Sequence, residues 1–299
     1  SDAIAFVQVN SATMTRFTAA NPTNTITPTS ITNTLIVAAI TCKASTDTTA
    51  VSSSEGETIT SGVDSGATTP RAELWYFVPT STALHTITFT TSCTDGSTSL
   101  MELSGVDTTS PKGNTITGSG SSTTATATIN IGTANSWAIS LVASNTNTAP
   151  SATGGQTIQS SVATNVAGSK VGNAFSTEGP LTTGNDVQSY TTANIAWAVA
   201  SMEIKAKTTT TTISLTEKLG MTDTVSATTT KTISLTEKLG MTDAIQTNTS
   251  TTISLTEKLG MTDTVSATTT KTISLTEKLG MTDAIQTNTS TTISLTEKL

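Results

Sequence analysis

Residues 123–131 read TTATATINI, with Ala125, Ala127, Ile129 and Ile131 separated by Thr124, Thr126, Thr128 and Asn130. Side chains alternate between the two faces of a strand, so only a strand gives this stretch one apolar and one polar face. On either side of it the chain keeps the same habit. Residues 35–41 (LIVAAIT) and 137–142 (WAISLV) are more continuously apolar, as strands covered on both faces are. Residues 3–9, 57–60, 71–78, 85–91, 99–103, 157–160, 186–191 and 195–205 are short runs of the same kind, divided by clusters of Gly, Asn, Asp, Pro and Ser. None of the longer runs has helical periodicity. The pattern predicts an all-β chain, with a two-sheet antiparallel sandwich of jelly-roll type over residues 1–206. Trp75, Phe77, Phe89, Trp137 and Trp197 are expected to anchor its core, and Tyr76, which alternates with Trp75 and Phe77, to face outward.

Composition agrees. Only 12% of the 299 residues are charged, against roughly a quarter in an average soluble domain. Hydroxyls and amides therefore cover this surface, and β-branched Thr suits the pleated, half-buried geometry of a strand. The net charge is −7, and the 14 Lys and Arg residues are scattered singly, so no basic patch is available to neutralise phosphates and nucleic acid is not an expected partner. The longest apolar run, residues 35–41, is strand-sized and far short of the 18 or so residues of a helical membrane span. A chain that enters a strand directly from Ser1 reads as a mature, secreted one after removal of a leader. Cys42 and Cys93, the two cysteines, each end an expected strand. In an oxidising compartment they would pair, closing a loop of about 50 residues at a gain of about 3 to 4 kcal/mol; two buried free thiols are the alternative.

The order TLIVAAI, ELWYFVP, HTITFTTS, MELSGVDTTSP, NSWAISLVAS and IAWAVASMEIK over residues 1–206 resembles a β-sandwich module of secreted bacterial and archaeal proteins and of phage structural proteins. The resemblance implies a lectin-like or jelly-roll scaffold on the outside of a cell or virion. It brings no catalytic set with it.

The composition changes at residue 207. After a run of threonines, residues 212–251 recur identically as 252–291, and a third copy begins at Thr292. Each copy contains two variants of one unit, TISLTEKLGMTDTVSATTTK and TISLTEKLGMTDAIQTNTST, so the period is about 20 residues and residues 207–299 form a tandem-repeat region. These units resemble the S-L-T-E-x-L arrays of archaeal surface proteins. Ile213, Leu215, Leu219, Met221 and Val225 have the odd spacing of one strand face. Ser214 to Glu217 has the form of a helical capping box, but the helix would be short and flanked by poor helix formers. Five apolar side chains do not offset the ordering of some 20 residues, so a unit needs partners. Stacking of units would place Glu217, Glu237, Glu257 and Glu277 on successive rungs and repel. Strand exchange or lateral pairing between copies of the chain is favoured for that reason over a solenoid or a string of small β modules. Calcium would also relieve the repulsion, yet neither an EF-hand loop nor a Gly-rich nonapeptide occurs, and no cofactor is expected. Asn248-Thr249-Ser250 and Asn288-Thr289-Ser290 are glycosylation sequons, one per 40-residue copy.

Catalytic constellations are weak. His85 is the single histidine and has no Gly-x-Ser-x-Gly elbow to serve. Glu55, Glu57, Glu73, Glu102 and Asp107 could supply a glycosidase pair. Glu73 and Glu102 stand out because each interrupts an apolar strand, and the plain expectation places both on a wet face. Trp75, Tyr76 and Tyr190 are the candidates for a sugar-stacking platform. The functional expectation is a non-enzymatic structural subunit of an extracellular filament or surface coat, assembling with copies of itself through its tail. A carbohydrate-binding adhesin module on a repeat stalk is the alternative.

Overall fold

The computed structural model describes residues 3–166 and 169–207, and in the tail 211–216, 223–227, 231–236, 243–247, 251–256, 263–267, 271–277, 283–287 and 291–297. The chain divides into two compact units, Ser1–Lys207 and Thr208–Leu299.

The first half of unit one contains β1 (Ala5–Val9), β2 (Thr15–Phe17), β3 (Thr23–Ile26), β4 (Leu35–Cys42), β5 (Thr48–Ser53), β6 (Thr60–Asp64), β7 (Arg71–Phe77), β8 (His85–Thr91) and β9 (Gly96–Ser104). They form an antiparallel sheet in the order β1-β9-β4-β7-β6, with β2 also on β9, facing a second sheet β3-β8-β5. The chain crosses between the sheets at most connections, which is jelly-roll connectivity. Ile36, Ala38, Ile40 and Leu100 of the larger sheet pack on Ile26, Val51, Ile87 and Phe89, with Phe77 among them.

The second half adds β10 (Lys112–Ile131), β11 (Ser136–Ser144), β12 (Ser151–Ala152), β13 (Thr157–Val166), β14 (Ser169–Leu181) and β15 (Gly184–Ile204). These form a third antiparallel sheet, β10-β15-β11-β14-β13, with β12 on β15. It packs on the open face of the β4 sheet. Leu35, Val37, Leu74, Met101 and Leu103 meet Ile139, Leu141, Phe175, Ala200 and Met202 in the largest core. The unit is thus an all-β sandwich with one sheet more than the sequence suggested, and β4, covered on both sides, is buried at every position.

The β10–β15 ribbon changes register between Ser122 and Thr124 and turns back over its own sheet. Ala125, Ala127 and Tyr190 from its far half lie against Val142, Ala174 and Val199. Here the strict alternation of residues 123–131 is realised: Ala125, Ala127, Ile129 and Ile131 are buried while Thr124, Thr126, Thr128 and Asn130 are exposed.

Phe77, Phe89 and Trp197 are buried as expected. Trp75 and Trp137 are not fully so. Both are half-buried, packed on the margins of their cores. Trp137 lies so close over Gly179 that a Cβ there would meet its ring at 2.2 Å. Tyr76 faces outward only in part: the face of β7 opposite Trp75 is covered by the third sheet, and Tyr76, half-buried, packs at the margin of that core.

The tail contains β16 (Thr211–Thr216), β17 (Asp223–Ala227), β18 (Lys231–Thr236), β19 (Asp243–Thr247), β20 (Thr251–Thr256), β21 (Asp263–Ala267), β22 (Lys271–Glu277), β23 (Asp283–Thr287) and β24 (Thr291–Glu297). Two parallel sheets result, β16-β18-β20-β22-β24 and β17-β19-β21-β23. Every pair is in register at an offset of one unit, so that Ile213, Ile233, Ile253, Ile273 and Ile293 succeed one another. The described strands stack within the chain as a solenoid with two strands per coil, the arrangement that sequence ranks after pairing between chains. Asp223, Asp243, Asp263 and Asp283 stand on successive rungs of the second sheet, and a ladder of backbone hydrogen bonds runs along the same strands. Ser214, Leu215 and Thr216 lie in β16, which removes the capping-box reading.

Candidate functional site

The two glutamates that interrupt apolar strands are both buried, Glu73 to 3% and Glu102 to 0% exposure, contrary to the wet face expected of them. Their side of β7 and β9 faces the β3-β8-β5 sheet, because they share the face of Phe77 and Leu100. Each has its own partners. Glu102 accepts hydrogen bonds from Gln8 Nε2 (2.5 Å), the Thr29 backbone N–H (2.9 Å) and Thr29 Oγ1 (2.6 Å). Glu73 Oε1 lies 3.1 Å from Arg71 Nε and accepts the Thr48 N–H at 3.1 Å, while Oε2 takes Trp75 Nε1 at 3.3 Å. Arg71 also binds Asp47 (2.6 Å) and Asp64, so that one guanidinium faces three carboxylates. Burial, and after it the Asp64 charge, push the Glu73 carboxyl from 4.5 up to about 7, against the pull of Arg71 and the two hydrogen bonds. Glu73 pairs with Ile40 and Glu102 with Ile36, on opposite sides of β4. They do not flank one cleft as a glycosidase pair must.

His85 is fully buried and stacks on Phe77 with ring centroids 5.8 Å apart. Its Nε2 lies 2.7 Å from Glu57 Oε1 and its Nδ1 2.8 Å from the Ala83 carbonyl oxygen. Burial raises the Glu57 carboxyl, but hydrogen bonds from Ser53, His85 and backbone N–H groups outweigh it and bring it to about 2. Glu55 accepts a hydrogen bond from Ser81 Oγ, and Asp107 accepts the Thr109 N–H within its own turn. Among the described residues no group of three or more His, Cys, Asp or Glu is arranged to hold a metal ion.

The densest polar cluster was not singled out by sequence reading. It lies where the far half of the β10–β15 ribbon covers β11 and β14. Ser140 Oγ donates to Gln188 Oε1 at 2.7 Å and stands 2.7 Å from Ser201 Oγ. Gln188 Nε2 donates to Glu178 Oε2 (2.8 Å) and Asp186 Oδ2 (2.5 Å), and Gln156 Nε2 donates to the same Glu178 oxygen at 2.7 Å. Ser176 and Tyr190 share a hydrogen bond of 2.6 Å beside them. Burial pushes the Tyr190 hydroxyl up to about 12. Burial and the facing Asp186 also hold the Glu178 carboxyl above its ordinary range, although the two glutamines pull the other way. Ser140, Ser176, Gln188, Tyr190 and Ser201 are each 0% exposed. The only sequence signal was the odd run of Ser, Gln and Tyr in otherwise strand-like segments.

Of the platform candidates, Tyr190 is sealed inside this cluster, and Trp75 is tied to Glu73. Tyr76 borders an open cleft of about 360 Å³ with Thr58, Thr60, Thr80, Thr108, Thr109 and Pro111. Cys42 and Cys93 are joined in a disulfide with Cα atoms 6.1 Å apart, and the described residues include no free cysteine. In the tail, Ile213, Leu215 and Val225 fall in β16 and β17, while Leu219, Met221 and the sequon asparagines Asn248 and Asn288 lie outside the described residues. No protein-family model, curated protein or solved structure matches the chain, so its likeness to secreted sandwich modules is carried by the quoted motifs alone.

Proposed function

We propose that the chain is a structural subunit of an extracellular filament or surface coat, and that its repeat tail drives assembly by strand addition. The observation that carries this reading is the in-register parallel stacking of near-identical rungs. A rung inside the tail has copies of itself on both sides, so the edge that one rung offers is the edge that the next accepts. The same sequence on another chain meets the same geometry. Outermost strands such as β16 and β17 pair on one side only among the described residues. An unpaired edge whose strands hold no Pro, and a Lys only in β18 and β22, is open to such addition. Assembly therefore extends the solenoid in parallel register, without exchange of strands.

The test compares the full chain with one carrying Ser214→Pro and Ser226→Pro, which remove backbone donors from the outer rungs. Light scattering and electron micrographs should show polymer for the first and a marked loss for the second; equal assembly would reject edge addition.

The Tyr76 cleft favours a second reading, a surface glycan as partner. An aromatic ring beside five threonine hydroxyls is the chemistry that stacks on and hydrogen-bonds a sugar. Selective binding on a glycan array that Tyr76→Ala abolishes would support it.

A further inference from the structure

We propose that Ser140 and Gln188 form a self-generated ester cross-link between β11 and the overlying far half of β15. The geometry brings a hydroxyl, a carboxamide and two carboxyl groups together in one place. A hydroxyl nucleophile lies 2.7 Å from the carboxamide oxygen of Gln188, and both side chains are wholly buried. The carboxamide nitrogen is gripped by two carboxyl groups, Glu178 and Asp186. Both carboxyl groups converge on that one nitrogen, and burial, with the Asp186 charge after it, holds the Glu178 carboxyl above its ordinary range. Elsewhere in the unit, buried carboxylates are quenched by Arg71 or by backbone N–H groups, as Glu203 is by Asn114, Gly132 and Thr133. Here an acid pair is instead directed at an amide nitrogen.

In the reaction Ser140 Oγ, rotated from its hydrogen bond, attacks Gln188 Cδ. The new C–O bond forms as the carbonyl π electrons move onto Oε1. When they return, the Cδ–Nε2 bond breaks and the nitrogen leaves as ammonia, carrying the proton that Oγ has given up. The Glu178 and Asp186 carboxyl groups, both hydrogen-bonded to Nε2, assist delivery of that proton to the leaving nitrogen. Nothing is oxidised or reduced, and no other reactant enters. Fixed juxtaposition supplies the large effective concentration that lets an amide react with an alcohol, and the dry interlayer protects the product from hydrolysis. The link would fasten the turned-back ribbon to the sheet beneath it, which suits a subunit that bears load.

The test is the mass of the full, reduced chain. The expected value is one ammonia below the sequence mass. Trypsin places Ser140 in the peptide 113–170 and Gln188 in 171–205, so the two should appear as one joined species that survives reduction. Mild alkali should separate it, leaving glutamate at position 188. Ser140→Ala should restore the full mass, and Glu178→Gln should leave most of the chain unlinked at times when the natural sequence is fully linked. A natural chain that keeps its full mass after prolonged incubation would overturn the proposal, as would ammonia lost within one peptide alone. Because the natural chain decides between these outcomes, a variant that fails to fold does not rescue the idea.

Discussion

Glu73 should make this protein more stable in mild acid than in mild alkali. Its carboxyl titrates at about 7 in the folded chain against 4.5 ordinarily, a difference equivalent to about 3 kcal/mol. Below pH 4.5 both states hold the proton, and Glu73 contributes no pH dependence. Between 4.5 and 7 the folded state holds a proton that the unfolded state has released, so stability falls as the pH rises, and above 7 the whole penalty applies. The groups that surround it are Arg71, Asp64, Asp47, the Thr48 N–H and the Trp75 indole. Glu73→Gln keeps an acceptor for Thr48 and leaves Arg71 paired with Asp47 and Asp64. The variant should therefore match the natural chain at pH 4.5 and exceed it by up to about 3 kcal/mol at pH 8. All three tryptophans lie within Ser1–Lys207, so denaturant unfolding followed by tryptophan fluorescence reads this unit alone. Parallel stability curves for the two proteins between pH 4.5 and 8, or a variant weaker at pH 8, would refute the reasoning.

Reduction of Cys42–Cys93, whose positions are 51 residues apart, should cost unit one about 4 kcal/mol by release of loop-closure entropy, read as a shift in the denaturant midpoint. Gly96→Ala should destabilise by about 3 kcal/mol or more, because a Cβ there would stand 1.9 Å from the Thr41 carbonyl oxygen, where β9 begins beside the end of β4; wild-type stability in that variant would contradict the packing. Glu57, held at about 2, contributes stability that is present above pH 4.5 and lost as the pH falls toward 2, so Glu57→Gln should flatten the acid limb of the stability curve; an unchanged limb would count against the His85–Glu57 pair.

The strands that alternate or run continuously apolar were legible because their pattern needs no partner to be read. Residues 123–131 and β4 fall where the sequence placed them. β14 was missed, since Val171, Ala174 and Phe175 are spaced among Gly, Asn and Ser and carry no clean period of two. The covering of Glu73, Glu102 and Tyr76 escaped for a different reason. A face is wet or dry according to which strands stack on it, and those strands, β3, β5 and β8 over the glutamates and the third sheet over Tyr76, come from elsewhere in the chain. The Ser140–Gln188 cluster depends on the bend of the β10–β15 ribbon, which no local pattern announces. In the tail, the repeat period was plain, but the choice between pairing within and between chains turned on charges whose repulsion was weighted above the backbone ladder.

Assembly is tested most directly by cryo-electron microscopy of the full chain over a range of concentrations. Edge-to-edge growth of the solenoid predicts fibres that lengthen with concentration and repeat along their axis at about 4.8 Å, the rung spacing of a parallel ladder. Single particles at every concentration, or fibres without that repeat, would contradict it.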